Sequence, residues 1–221
     1  MTICSTCQGV MAQANERLCN DEDYRNSINE DLKEEGLTYQ GTIEPKHLLW
    51  IIVEDLGIEV LESKLVKQLN GLKLAPFYGC YIVRPSKALG LKDNPGRDKA
   101  LEKVIEVVGG EVVDFPGKTL CCGFPILTIN PENSVNMVAN HTIDAKERGA
   151  DAMVTPCPLC HLNLDGYQPN AASSRKREID LPIIHLPQLV GLALGIDPKE
   201  MRLNKHIVST KKLLSEIAVS P

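Results

Sequence analysis

Residues 151–162, Asp-Ala-Met-Val-Thr-Pro-Cys-Pro-Leu-Cys-His-Leu, decide how the rest of the chain is read. A short apolar run, Asp151–Thr155, stops at Pro156 and runs at once into a Cys-x-x-Cys made by Cys157 and Cys160. An apolar run of that length, closed by a chain-breaking residue, predicts a buried strand. Leu72–Tyr78, Glu111–Phe115 and Leu181–Ile184 have the same character. Between them, Arg97–Val108 and Pro131–Arg148 read as helices. The second has Asn130 as its N-cap, Pro131 in its first turn and Gly149 just past its end. Strands alternating with helices of this length specify βαβ units around a parallel sheet, so the fold class is α/β. Residues 9–35 read as one long acidic helix broken near Asn20, and Pro169–Lys176 as a polar surface loop.

The composition is that of an ordinary globular chain: 221 residues, 43% hydrophobic and 24% charged. At that size the chain can bury roughly 70% of its unfolded surface and needs no covalent staples. The net charge of −5 argues against a nucleic-acid partner, and Arg175-Lys176-Arg177 is too short a basic run to change that. No apolar run approaches the roughly 18 residues of a membrane span, and MTICSTCQGV lacks the basic start and apolar stretch of a secretory leader. A cytoplasmic protein without a transmembrane segment is expected. Ile207–Val219 is a modest amphipathic stretch that a core-packing helix explains equally well.

The eight cysteines are many for a cytoplasmic chain, where structural disulfides are rare, and they are patterned. Cys4 and Cys7 form one Cys-x-x-Cys and Cys157 and Cys160 another; Cys121 and Cys122 are adjacent and followed by Gly123; Cys80 and Cys19 stand alone. Cys80 follows the Leu72–Tyr78 strand, Cys121-Cys122 follow Glu111–Phe115, and Cys157 follows Asp151–Thr155. Three loops at the carboxyl edge of one sheet therefore carry five thiols to one crevice, where open α/β sheets place their sites. Five thiolates exceed the four of a closed zinc site and the four of an ordinary cubane cluster. A Zn–Cys4 site with a spare thiol and a dithiol redox pair at one Cys-x-x-Cys remain the competing readings.

The chain also repeats itself. Thr2-Ile3-Cys4-Ser5-Thr6-Cys7-Gln8 parallels Thr155-Pro156-Cys157-Pro158-Leu159-Cys160-His161. Downstream, His47-Leu48 followed by Leu56-Gly57-Ile58 parallels His185-Leu186 followed by Leu194-Gly195-Ile196. The first copy has nothing corresponding to Cys80 and Cys121-Cys122. One and a half units are therefore expected, a partial one over residues 1–70 and a complete one over residues 71–221.

The order Cys80-x40-Cys121-Cys122-Gly123-x33-Cys157-x-x-Cys160 resembles the cysteine-rich CCG domain of the family of heterodisulfide reductase B subunits. The resemblance extends through Phe77-Tyr78-Gly79, Phe124-Pro125, Leu162 and the tail His185-Leu186-Pro187-Gln188-Leu189, so it covers essentially the whole chain. It implies a non-cubane [4Fe-4S] cluster held by Cys80, Cys121, Cys122, Cys157 and Cys160. Cys4 and Cys7 match the closing Cys-x-x-Cys of an N-terminally truncated first domain and would serve an incomplete first cluster. His161 is a candidate hydrogen-bond donor to a cluster sulfur, or else a solvent-facing histidine at a helix start. His47 and His185 occupy equivalent strand-to-helix positions, where capping or packing competes with contact to the cluster surroundings or substrate. Lys73 and Arg84 would attract an anionic substrate or form a solvated face, and Cys19 is expected to pack.

The function implied is an iron–sulfur redox subunit that reduces a small-molecule mixed disulfide of the coenzyme M–coenzyme B type. Its electrons would come from partners resembling the flavin-containing A and cubane-cluster-containing C subunits. Two other readings compete. One is a CCG electron-transfer subunit of a non-classical succinate dehydrogenase, a sulfur-oxidising heterodisulfide-reductase-like complex or a lactate or glycolate oxidation system. The other is a non-enzymatic, zinc-bound assembly module.

Overall fold

A computed structural model describes residues 1–69 and 71–219; the expected boundary residue Asn70 and the terminal Ser220 and Pro221 lie outside the described residues. Two helices, α1 (Ser5–Asn20) and α2 (Glu22–Leu32), open the chain. A short helix, α3 (Leu48–Trp50), continues as a π-helical turn over Ile51–Leu56 and is followed by α4 (Ile58–Lys64). Next come β1 (Lys73–Pro76), α5 (Ala100–Val107), β2 (Glu111–Val112), α6 (Pro131–Glu147) and β3 (Ala152–Thr155). The remainder is α7 (Pro158–Gly166), α8 (Gln168–Arg175), β4 (Ile183–His185), α9 (Leu186–Ala193) and α10 (Lys211–Val219).

The four strands form one parallel sheet in the order β2-β1-β3-β4. All four residues of β3 are buried, as a central parallel strand covered on both faces requires. On one face lie α5 and α9, together with Leu49, Trp50 and Leu61 from the first third of the chain. On the other, Val138 and Ala139 of α6, Leu164 of α7 and Ala171 of α8 meet Phe77, Phe115 and Met153. Helix α5 fits because Leu101, Val104 and Ile105 recur at helical spacing and are fully buried.

The expected strands and the α5 and α6 helices are present with shorter hydrogen-bonded cores, except that β4 is shifted and runs one residue past Ile184 to His185. The Asn130 side chain caps α6 by accepting from the Asn133 N–H at 3.1 Å. The acidic N-terminal helix does break, at Asp21, whose carboxylate accepts from the Tyr24 N–H at 2.9 Å and restarts the chain as α2.

Two expectations are corrected. Pro169–Lys176 is not a loop but belongs to α8, ending at Lys176 in a left-handed conformation. Proline is tolerated in a helix's first turn, and Ala171 is buried against α6. Gln168 anchors the helix start by donating to the Leu181 carbonyl at 2.7 Å. Cys19 does not pack into the core; it is exposed on α1, where its thiol reaches the Gly41 carbonyl.

The N-terminal quarter is fastened to the sheet domain through Arg97. Its guanidinium grips Glu54 bidentately at 2.6 and 2.8 Å, lies 4.2 Å from the Trp50 ring centroid and donates to the Leu89 carbonyl. Replacing Arg97 by alanine leaves Glu54 with only Lys46 beside it. The expected cost is about 1 kcal/mol, read as a lower midpoint in equilibrium urea unfolding. A midpoint within error of the parent would refute this fastening role.

Candidate metal and redox site

Strand β1 hands the chain directly to the site. Phe77 still donates to Val154 on β3 at 2.7 Å, and Tyr78 and Gly79 both donate to the Lys118 carbonyl, at 2.8 and 3.2 Å. The Tyr78 hydroxyl donates to the Glu102 carboxylate and accepts from Leu101 N–H, while Lys118 pairs with Glu102 at 3.0 Å. This buried lattice fixes the turn at Gly79, which has φ +69° and presents Cys80 beyond the sheet edge. A Cβ on Gly79 would lie 2.8 Å from the Cys160 sulfur, so only glycine lets β1 come this close to the second thiol loop.

The Cys121-Cys122 loop is held by two side chains that bond backbone carbonyls. His141 Nε2 donates to the Cys121 carbonyl at 2.9 Å, and Asn163 Nδ2 donates to that of Cys122 at 2.7 Å. Gly123, at φ +95°, lies so close to Ser134 of α6 that a Cβ would approach its hydroxyl to 2.8 Å. Neither His141 nor Asn163 is marked by the sequence pattern, apart from Asn163 lying one turn beyond Cys160 on α7. Cys157 is the N-cap of α7 and Cys160 lies in its first turn, where the helix's free N–H groups favour negative sulfur.

The structure brings Cys80, Cys121, Cys122 and Cys160 into one chain of contacts, and Cys157 joins it through Cys160. The thiols accordingly split in acidity. Hydrogen bonds from Cys122 and Cys80 pull Cys121 far down, and the bond from Cys160 pulls Cys157 down to about 4. Cys80 and Cys122 are pushed up chiefly by Cys121, and Cys160 by Cys122. Five thiols this close cannot all ionise unless cationic charge enters among them, so the donor set fits a multivalent metal centre. The fifth sulfur, the contiguous Cys121-Cys122 pair and the bare Gly79 fit an inorganic cluster better than a single four-coordinate zinc.

Cys4 and Cys7 occupy the matching position on α1, and the repeat is visible in the backbone. Cys4 and Cys157 are both extended N-caps, at φ, ψ of −137°, 120° and −127°, 119°. His47 and His185 follow at −77°, 142° and −76°, 141°. The parallel bridge from Thr2 to His47 reproduces that from Thr155 to His185. The two copies then clasp each other reciprocally. His47 Nε2 donates to the Pro156 carbonyl at 3.0 Å, and His185 Nε2 donates to the Ile3 carbonyl at 3.1 Å. Each histidine thus grips the residue just before the other copy's first cysteine. The Cys4 sulfur is buried 4.0 Å from that of Cys157, and burial pushes its thiol up to about 12; Cys7 is exposed.

Among the described residues no hydrogen bond joins His161 to a sulfur; its ring lies 4.6 Å from that of His206 and is stacked at 6.4 Å from that of His185. Lys73 is exposed at the start of β1, away from the thiols. Arg84 donates to the Thr119 carbonyl and lines, with Gln13, Cys80, Tyr81 and Pro85, an open pocket of about 340 Å³ beside the cluster of thiols.

The His47 clasp is pH-dependent. Nδ1 accepts from Leu49 N–H at 3.0 Å, so Nε2 carries the proton given to Pro156, and burial pushes the imidazole down to about 4 from its ordinary 6.5. Because the unfolded chain takes up this proton first, the contribution is complete above pH 6.5 and is lost as the pH falls towards 4. That loss is roughly 3 kcal/mol. Urea midpoints between pH 7 and 4.5 are expected to fall more steeply for the parent than for His47→Gln. Equal slopes would contradict the assignment.

A parallel α/β sheet whose carboxyl edge gathers a lone cysteine, a Cys-Cys-Gly and a Cys-x-x-Cys defines a cysteine-rich redox-domain class. Residues 74–165 match the CCG cysteine-rich domain model. The chain belongs to the CCG family that includes the B subunits of heterodisulfide reductases. It is 38% identical, over 96% of its length and 73% of the relative's, to the 8-methylmenaquinol:fumarate reductase membrane anchor subunit of Wolinella succinogenes. It is 32% identical, over 98% of its length and 72% of the relative's, to the B subunit of the ferredoxin/F420H2-dependent CoB-CoM heterodisulfide reductase of Methanosarcina acetivorans. A solved structure of a hypothetical protein from Helicobacter pylori shares the fold, with a TM-score of 0.66 and 19% identity over 89% of this chain. The chain spans 35% of that protein's length. Among the described residues, no helix is long and apolar enough to cross a membrane.

Proposed function

We propose that the chain is an iron–sulfur electron-transfer subunit whose [4Fe-4S] cluster is held by Cys80, Cys121, Cys122, Cys157 and Cys160. The observation that carries this reading is the contact of five thiols delivered by three loops of one sheet edge. When bound, the cluster supplies one-electron redox capacity. The residues around it set where that capacity is used. Gly79 keeps the β1 loop close, His141 and Asn163 hold the Cys121-Cys122 backbone, and the pocket beside Cys80 leaves one side open to an acceptor. The relatives are named as subunits, which supports work within a larger complex through electron-carrying partners.

For the acceptor, the heterodisulfide reductase relatives support a mixed disulfide, which takes two electrons and two protons to yield two thiols. The relative named for menaquinol:fumarate reductase, at the higher identity of 38%, favours a quinone-linked complex as the second reading. Tyr81 and Pro85 line the pocket at Cys80 and suit a quinone ring as well as a thioalkyl chain. The chain, reduced anaerobically with dithionite and freed of excess reductant, is to be mixed with a mixed disulfide or a water-soluble menaquinone analogue. Reoxidation by one of them, abolished in the Cys122→Ser variant, identifies the acceptor. Reoxidation by neither would overturn the electron-transfer reading.

A further inference from the structure

Outside the thiol cluster, α7 carries His161 and Asp165 one turn apart on one face, opposite His206 from the segment that follows α9. We propose that His161, Asp165 and His206 form a second metal site, for one divalent ion of the zinc class. The ligand atoms of the three side chains lie within 4.8 Å of one another. Two histidines and one carboxylate are a common donor set for such ions, with solvent free to complete the coordination.

The surroundings are those of a ligand set. Asp165 is only 5% exposed, and its two carboxylate oxygens accept the N–H groups of Ile207 and Val208 at 2.8 and 3.0 Å. Two backbone amides orient the buried carboxylate, and among the described residues no lysine or arginine pairs with it. His161 Nε2 and His206 Nδ1 are both buried without a hydrogen bond of ordinary geometry, the Ile183 carbonyl being the backbone acceptor near both rings. Burying a polar nitrogen without a well-formed hydrogen bond is costly, and two of them beside a buried carboxylate mark a place where a ligand is wanted.

Gln188 completes the picture. Its amide donates to the Met201 carbonyl and to His206 Nε2, both at 3.0 Å, which places the His206 proton on Nδ1, among the ligand atoms. An ion bound at Nδ1 moves that proton to Nε2, and the Gln188 amide then gives up its bond to His206 while keeping those to the Met201 carbonyl and the His185 N–H. The bound ion would pin residues 206–208 to α7, the helix whose first turn carries Cys160. In the first copy the position matching His161 is Gln8, whose amide is satisfied by the Pro45 carbonyl at 2.7 Å, so that copy offers no equivalent ligand there.

The test is titration with Co(II) and Zn(II) of the chain whose five thiols are already loaded with iron and sulfide. One cobalt per chain is expected with ligand-field bands of a nitrogen–oxygen site and no sulfur-to-cobalt charge transfer, displaced by zinc. His206→Gln should weaken this binding at least tenfold while leaving iron and sulfide contents at the five thiols unchanged. Absence of a bound ion in the parent would overturn the site, as would thiolate charge transfer from the bound cobalt or unaltered binding by a folded His206→Gln variant. Should that variant not fold, zinc-edge anomalous scattering from crystals of the parent decides the matter, by a peak among the three side chains or none there.

Discussion

Cys122→Ser is expected to remove nearly all of the cluster-derived visible absorption and iron, by at least about tenfold, while the far-ultraviolet circular dichroism stays that of the parent. Cys122 is buried midway in the thiol chain, with Cys121 on one side and Cys160 on the other. Losing its sulfur divides the donor set into Cys80-Cys121 and Cys157-Cys160, neither of which holds a cluster alone. A hydroxyl is a poor ligand for iron compared with a thiolate, and its small volume leaves the surrounding packing in place. Cys19→Ser, on the exposed face of α1, is the matched control and should change nothing. An unchanged spectrum for Cys122→Ser would refute the five-ligand assignment.

The second large effect is expected at Gly79. Valine there adds a Cβ 2.8 Å from the Cys160 sulfur, in a backbone held at φ +69°. The left-handed conformation costs about 1–2 kcal/mol for a residue with a Cβ, but the clash with the sulfur is specific to the site. Gly149→Val separates the two contributions, because Gly149 has φ +90° and open space around it. Both variants should lose stability of that order, and only Gly79→Val should lose the cluster. Equal iron content in the two would show that the close approach of β1 to Cys160 is dispensable.

The sheet was legible because each strand is a short apolar run closed by proline, glycine or cysteine, and α6 because Asn130, Pro131 and Gly149 punctuate it. The five thiols were legible because their spacing follows loops at a single sheet edge. What escaped depends on tertiary contact. Helix α8 reads as polar surface until α6 covers Ala171 and Gln168 reaches Leu181. His141 and Asn163 act on the backbone carbonyls of Cys121 and Cys122, and only the folded chain brings these together. The His47 and His185 positions were visible as a repeat, yet their crossed grip on Pro156 and Ile3 requires the two copies to face each other. The nearness of Asp165 and His206 is likewise hidden, since 39 residues, with α8, β4 and α9 among them, separate α7 from His206.

The central claim is that the five thiols hold an iron–sulfur cluster, and metal and acid-labile sulfide analysis of the anaerobically purified chain tests it most directly. About four iron and four sulfide per five-thiol set are expected, with Mössbauer parameters of thiolate-bound iron. Stoichiometric zinc at the thiols, with no iron, no sulfide and no visible absorption, would contradict it.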